Sequence, residues 1–153
     1  MADYYIDSSA IVKRYIAEAG SAWIQSITDP TAGNVIFVSA IAEVEVVAAV
    51  MRRLRPQNPG TATATSAAFR ADLRASYQIV DPRPSVIARA VLLAEQHALR
   101  GYDALQLASA VELNAAFVAG GLAPVTLISS DLELNAAAAL EGLTVIDPAT
   151  QNA

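Results

Sequence analysis

The sequence contains no cysteine, a single histidine (His97) and two methionines among its 153 residues. Without thiols it can form neither a disulfide nor a thiolate metal site, and a reducing cytoplasm suits it. One imidazole is too few for the nitrogen-rich ligand sets that zinc favours. Charge is scarce as well: 16% of residues are Asp, Glu, Lys or Arg, against 54% hydrophobic. The N-terminal MADYYIDSS lacks the basic stretch and apolar run of a secretory signal. The longest uncharged stretch, residues 113–130, falls short of the roughly 20 residues that a membrane span needs. Gly120, Gly121 and Pro124 also interrupt it. The expectation is a soluble, cytoplasmic protein with no membrane partner, folded as one domain over residues 1–150 around one substantial core.

What is present pulls in two directions. Mean hydropathy is +0.38, high for a soluble monomer even after allowing for the many alanines. This predicts an apolar surface covered in a homodimer or by another protein. The net charge of −5 opposes simple electrostatic attraction to nucleic acid. That objection weakens if the acids line a pocket that divalent cations fill.

Short branched apolar runs alternate with helical patterns along the chain. Strands are expected at Tyr4–Asp7, Val35–Val38, Gln78–Val80, Val125–Ile128 and Thr144–Ile146. Helices are expected from about Ala10 (capped by Ser8 and Ser9), from Ser21 to Asp29-Pro30, and from a Ser39 cap to about Leu54. Further helices should span Ser66–Ser76, Ser85–Leu99, Asp103 to Gly120, and Leu132–Leu140. The segment PQNPGTATAT, from Pro56 to Thr65, reads as a flexible loop. Strands separated by helices require crossovers, hence a mainly parallel sheet covered on both faces. Sites in such folds lie beyond the carboxyl ends of the strands.

Acids stand where that rule points. Asp7 ends the first strand, Asp131 follows the fourth, and Asp103 opens the helix after Gly101-Tyr102. Each could equally be a helix cap favoured by the dipole. Glu45 differs, because it sits among Val44, Val46 and Val47 inside a helix. A carboxylate in apolar surroundings needs a partner or must neutralise. Glu43 competes with it, but two positions along a helix are about 200° apart, so one of the two faces any shared site. Clustered oxygen ligands suit Mg²⁺ or Mn²⁺, cations that organise phosphates and reverse the local sign of the field.

Four segments, YYIDSSAIVKRY, VSAIAEVEVVAAV, RGYDALQLASAV and LISSDLELNAAAALEGLTVIDP, resemble the successive motif blocks of PIN-domain proteins. They are closest in kind to the VapC-like toxins of toxin–antitoxin systems. The resemblance spans nearly the whole chain, in order. It implies a three-layer α/β/α sandwich with a parallel five-stranded sheet and a Mg²⁺- or Mn²⁺-dependent endoribonuclease, with RNA as substrate and an antitoxin as partner. It also implies that Asp7, Glu45, Asp103 and Asp131 are the catalytic, metal-holding acids. Asp7 falls in the Asp-Ser/Thr-Ser block. Glu45 lies six positions after a strand-end serine, Ser39, and Asp103 falls in Tyr-Asp-Ala-Leu. Asp131 closes a Thr-x-Asp block in which Ser129 replaces the threonine and keeps the hydroxyl. Ser8, Ser9 and Ser129 are placed to orient the carboxylates.

Basic residues are candidates for RNA contact. Lys13 and Arg14 follow one helix after Asp7, and Arg52 and Arg53 stand with Arg55 before the turn-rich segment. The alternative for the arginines is an ordinary basic helix end. His97 and Trp23 read as structural residues rather than as a general base or a base-stacking platform. Two other functions fit parts of the pattern. A non-catalytic binding module would use the acids as caps. A haloacid-dehalogenase-like phosphatase also places an Asp after its first strand, but it needs a second acid at the position held here by Ser9.

Overall fold

The computed structural model describes residues 1–151 and shows five short strands, β1 (Asp3–Ile6), β2 (Val35–Ser39), β3 (Gln78–Val80), β4 (Thr126–Ile128) and β5 (Thr144–Ile146). All pair in parallel, in the order β3-β2-β1-β4-β5. Tyr4 lies opposite Ile36 on one side and Thr126 on the other. The chain moves outward from β1 through β2 to β3, then crosses back to β4. The order therefore reverses at the β1/β4 junction, where open parallel sheets leave a crevice.

Seven helices connect the strands: α1 (Ser8–Ile11), α2 (Ser21–Thr28), α3 (Ala42–Leu54), α4 (Pro59–Ala75), α5 (Pro84–His97), α6 (Gly101–Ala119) and α7 (Leu132–Leu140). A 3₁₀ turn, Val12–Arg14, extends α1. Successive strand side chains alternate between faces. Tyr5 and Leu127 pack with Leu93, Leu107 and Leu134 of α5, α6 and α7. Ile6 and Ile128 pack on the other face, with α1 to α4 through Ile11, Ile24, Val46 and Phe69. Each such buried side chain contributes about 1.5–3 kcal/mol. The two cores with the sheet between them make the expected α/β/α sandwich. Among the described residues, no helix is long and apolar enough to cross a membrane.

Four local expectations are corrected. The cap of α1 is Asp7, whose carboxylate accepts from the Ala10 N–H at 3.1 Å, while Ser8 and Ser9 are already helical. Helix α3 starts at Ala42 without a side-chain cap. Ser39 instead bends the approach, accepting from the Ile41 N–H at 3.4 Å. Gly101 and Tyr102 do not interrupt α6; they form its first turn. The largest difference is at residues 56–65, where most of the expected loop is helix. Asn58 caps α4 through the Thr61 N–H at 3.0 Å, Pro59 occupies the first turn, and Ala62, Ser66, Phe69 and Leu73 form one buried stripe. Pro at the first helical position sacrifices no hydrogen bond, so Asn-Pro starts this helix rather than breaking it.

Candidate active site

The end of β1 determines the placement of Asp7. Its N–H continues the sheet by donating to the Ile128 carbonyl at 3.1 Å, which turns the side chain into the β1/β4 crevice. The residue is 4% exposed. Ser9 Oγ donates to Asp7 Oδ1 at 2.8 Å and accepts from the Ser130 N–H at 3.0 Å. One hydroxyl thus ties the first acid to the loop after β4. Burial is the main influence on the Asp7 carboxyl and pushes it up. Ser9, the Ala10 N–H and Ser129 pull it down, the nearby Glu45 charge pushes it up again, and it settles at about 7.

Glu45 projects from α3 toward the same crevice. Its Oε1 accepts from Ser8 Oγ at 3.0 Å and from Gln106 Nε2 at 2.9 Å. Glu43, two residues earlier, faces α4 and pairs with Arg70 at 2.9 Å and Arg74 at 3.1 Å. These arginines hold its carboxyl below the usual range. The geometry therefore separates the two candidate glutamates as a helix requires.

Asp103 lies in the first turn of α6. Partial burial raises its pKa, and the charges of Asp131 and Glu45 raise it further, with Arg100 opposing. Asp131 caps α7 through the Leu134 N–H at 2.9 Å, and its own N–H donates to Ser129 Oγ at 3.1 Å. The Glu45 charge thus acts on both Asp7 and Asp103, and that of Asp131 on Asp103. None of the four acids pairs with Lys, Arg or His among the described residues. As the side chains lie, no three His, Cys, Asp or Glu among the described residues form a closed metal cluster.

The donor set nevertheless fits a hard divalent cation. It is made of oxygen only, it is anionic, and it includes a buried carboxylate without a cationic partner. Burial is the largest cause of the raised pKa at both Asp7 and Asp103, and neighbouring acids add to it in each case. The residues that could hold such an ion are Asp7, Glu45, Asp103 and Asp131; Ser9 bonds the Asp7 carboxylate and Ser129 the Asp131 N–H.

A cleft of about 660 Å³ opens beside Ser8 and Glu45. Ser8, Ser9 and Lys13 line it from α1 and its 3₁₀ extension, Glu45, Arg52 and Arg53 line it from α3, and Ser130 from the loop after β4. Glu18 braces the basic residues, with Lys13 Nζ at 3.4 Å and Arg53 Nη1 at 3.2 Å. Arg14 does not reach the cleft. Its guanidinium turns away to Thr28 Oγ1 at 2.7 Å and Asp72 at 3.5 Å. His97 is also remote, bonded to Glu141 at 2.8 Å on the α5–α7 side.

Sequence reasoning missed Gln106 and Glu18. Gln106 carries a faint signal: it lies three positions after Asp103, on the same helix face, and with Ser109 it is a polar residue in the largely buried run Ala104–Val111. Nothing in the sequence marks Glu18.

Known structures reproduce the fold. The chain is similar to PAE2754 from Pyrobaculum aerophilum, at 18% identity and a TM-score of 0.58 over 89% of this chain and 84% of that one. It is also similar to VapBC2 from Rickettsia felis, solved bound to a DNA fragment from their promoter, at 14% identity and a TM-score of 0.61 over 94% and 97% of the respective chains. No curated protein matches the sequence. The model of the PIN domain matches residues 4–140. The match takes in α1 to α7 and Asp7, Glu45, Asp103 and Asp131, and the chain belongs to the PIN domain family.

Proposed function

We propose that this protein is a Mg²⁺- or Mn²⁺-dependent endoribonuclease, acting as one domain over residues 1–150 and serving as the toxin of a toxin–antitoxin pair. The observation that carries the reading is Asp7. It is a buried carboxylate at the carboxyl end of the central strand, without a cationic partner, beside a second acid that raises its pKa. A structural cap has no need of that neighbour. PIN domains are generally nucleases, which supports a hydrolase acting on nucleic acid. The likeness to VapBC2 supports an antitoxin partner.

When bound, a divalent cation supplies positive charge at the scissile phosphate and acidifies a water for attack. The chain's own residues do the rest. Asp7, Glu45, Asp103 and Asp131 hold the ion. Ser9 fixes the Asp7 carboxylate while bonding the β4 loop, so the two strand ends cannot drift apart. Lys13, Arg52 and Arg53 give the strand's phosphates a basic stretch of the cleft beyond Ser8 and Glu45, a positioning role without base specificity. The phosphatase alternative lacks its second acid, because position 9 is a serine whose hydroxyl is committed to Asp7 and Ser130.

The test is direct. Purified protein should cut RNA with Mg²⁺ or Mn²⁺ and lose the activity in EDTA, and expression of the Asp7→Asn form should not be toxic. Cleavage that persists in EDTA would overturn the metal dependence, and no cleavage together with a toxic Asp7→Asn form would replace the nuclease reading with the binding module.

A further inference from the structure

Glu45 has three rotatable side-chain bonds and sits half-buried on a helix surface. Left to itself, such a side chain samples many rotamers, and ordering it costs conformational entropy. Something must hold it. The buried side chain that reaches it is Gln106, 1% exposed, from a helix on the opposite face of the sheet.

We infer that Gln106 is a positioning residue of the site, whose amide, locked from behind by Tyr5, holds the Glu45 carboxylate in place. The geometry supports each link. The Tyr5 hydroxyl donates to Gln106 Oε1 at 2.7 Å. Gln106 Nε2 donates to Glu45 Oε1 at 2.9 Å and to Ser8 Oγ at 3.0 Å, and Ser8 Oγ donates to the same Glu45 oxygen at 3.0 Å. The amide can face one way only. Reversed, its oxygen would meet the Glu45 carboxylate lone pair against lone pair. Tyr5 sits two residues before Asp7 on the central strand, and Gln106 three residues after Asp103 on α6. The relay therefore ties the glutamate to the strand that ends at Asp7 and to the helix that carries Asp103. Glu45 Oε2 makes no hydrogen bond among the described residues and stays available to a ligand.

The inference rests on the metal-nuclease reading for its purpose, but its test does not depend on that reading. Gln106→Met keeps the volume and removes the amide. The double variant Tyr5→Phe/Gln106→Met also removes the hydroxyl that would otherwise be left unpaired in the core, so at least one of the two should fold. Crystal structures of the metal-free full chain, wild type and variant, give the first readout. The Glu45 carboxylate should leave Ser8 in the variant; if it keeps its place, the inference is overturned whatever the affinity does. Calorimetric titration with Mn²⁺ gives the second. Affinity should fall about tenfold to a hundredfold, the usual loss for a partner behind a metal ligand. The same change in a Glu45→Ala background should cost nothing further; an equal loss in both backgrounds would show a merely structural role and also overturn it. Wild-type protein that binds no Mn²⁺ would defeat the metal reading instead, and the Glu45 position in the variant crystals would then decide the role of Gln106.

Discussion

Asp7 is asked to stay charged where charge is costly. Its carboxyl is pushed up to about 7, chiefly by burial, so in the metal-free protein the folded state binds a proton that the unfolded chain has released. Between the ordinary carboxylate range and that value the native state holds more protons, and metal-free stability falls as pH rises. The effect is on the order of 4 kcal/mol in all, at about 1.4 kcal/mol per pKa unit. Asp7→Asn removes the titration. Urea unfolding in EDTA should show the variant more stable than wild type at about pH 8 and nearly level with it at about pH 4. Cleavage should vanish in the same variant. A variant with the wild-type pH slope would mean that Asp7 is not the group responsible. The neighbouring glutamates give a second contrast at this scale. Glu45→Gln removes a charge from the cleft and should lower cleavage at least about a hundredfold, as loss of a positioned charge in an active site commonly does. Glu43→Gln breaks two half-exposed ion pairs with Arg70 and Arg74, which should cost roughly 0–1 kcal/mol of stability and leave the rate unchanged. Equal losses of rate in the two variants would refute the separation of their roles.

Helix α4 shows what a sequence conceals at the scale of an element. Pro56, Asn58, Pro59 and Gly60 are each turn formers, and taken one at a time they predict a loop. Together, Asn58 and Pro59 are a helix start, and the Ala62–Leu73 stripe confirms it. Asn58→Ala should destabilise the fold by about 1 kcal/mol, with Asn58→Gly several tenths milder; thermal unfolding gives both values, and no change would mean that the cap is replaced by water. The strands and their acids were legible for the opposite reason. Period-two runs and the strand-end rule act over a few residues, so Asp7 and Asp131 could be placed without knowing what packs against them. Side-chain direction at the next level was not legible. Lys13 and Arg14 are adjacent in sequence, yet the tight 3₁₀ turn at Val12–Arg14 sends one to the cleft and the other to Asp72. Gln106 finds its partners on β1, α1 and α3, far away in the chain, and no local pattern encodes such a meeting.

For the molecule as a whole, composition raised two questions, and the structure supplies physical terms for both. The hydropathy is partly accounted for by exposed apolar side chains such as Ile87 and Val91, one turn apart on α5, and Leu132 and Leu140 on α7. We expect these to be covered in a homodimer. Sedimentation at micromolar concentration should find one, and a strict monomer would remove the dimer without touching the enzyme. The negative charge bears on the cation. On the proposed reading, a divalent ion held by Asp7, Glu45, Asp103 and Asp131 would compensate their negative charge and so stabilise the fold. Ligand binding to the native state alone adds about 2.7 kcal/mol when the ion is at a hundred times its dissociation constant. For a domain of this size that raises the melting temperature by roughly 5–10 °C, at about 2–4 °C per kcal/mol. Protons compete for the same oxygens, since binding requires the carboxylates ionised. With Asp7 half-protonated at about 7, the Mn²⁺-induced rise should be large at about pH 8 and should shrink by about pH 6, where roughly nine in ten Asp7 carboxyls carry a proton. EDTA should abolish the rise, and Asp7→Asn should lose most of it at every pH. A melting temperature indifferent to Mn²⁺ across that range would mean that the carboxylates at the sheet edge serve as helix caps and nothing more.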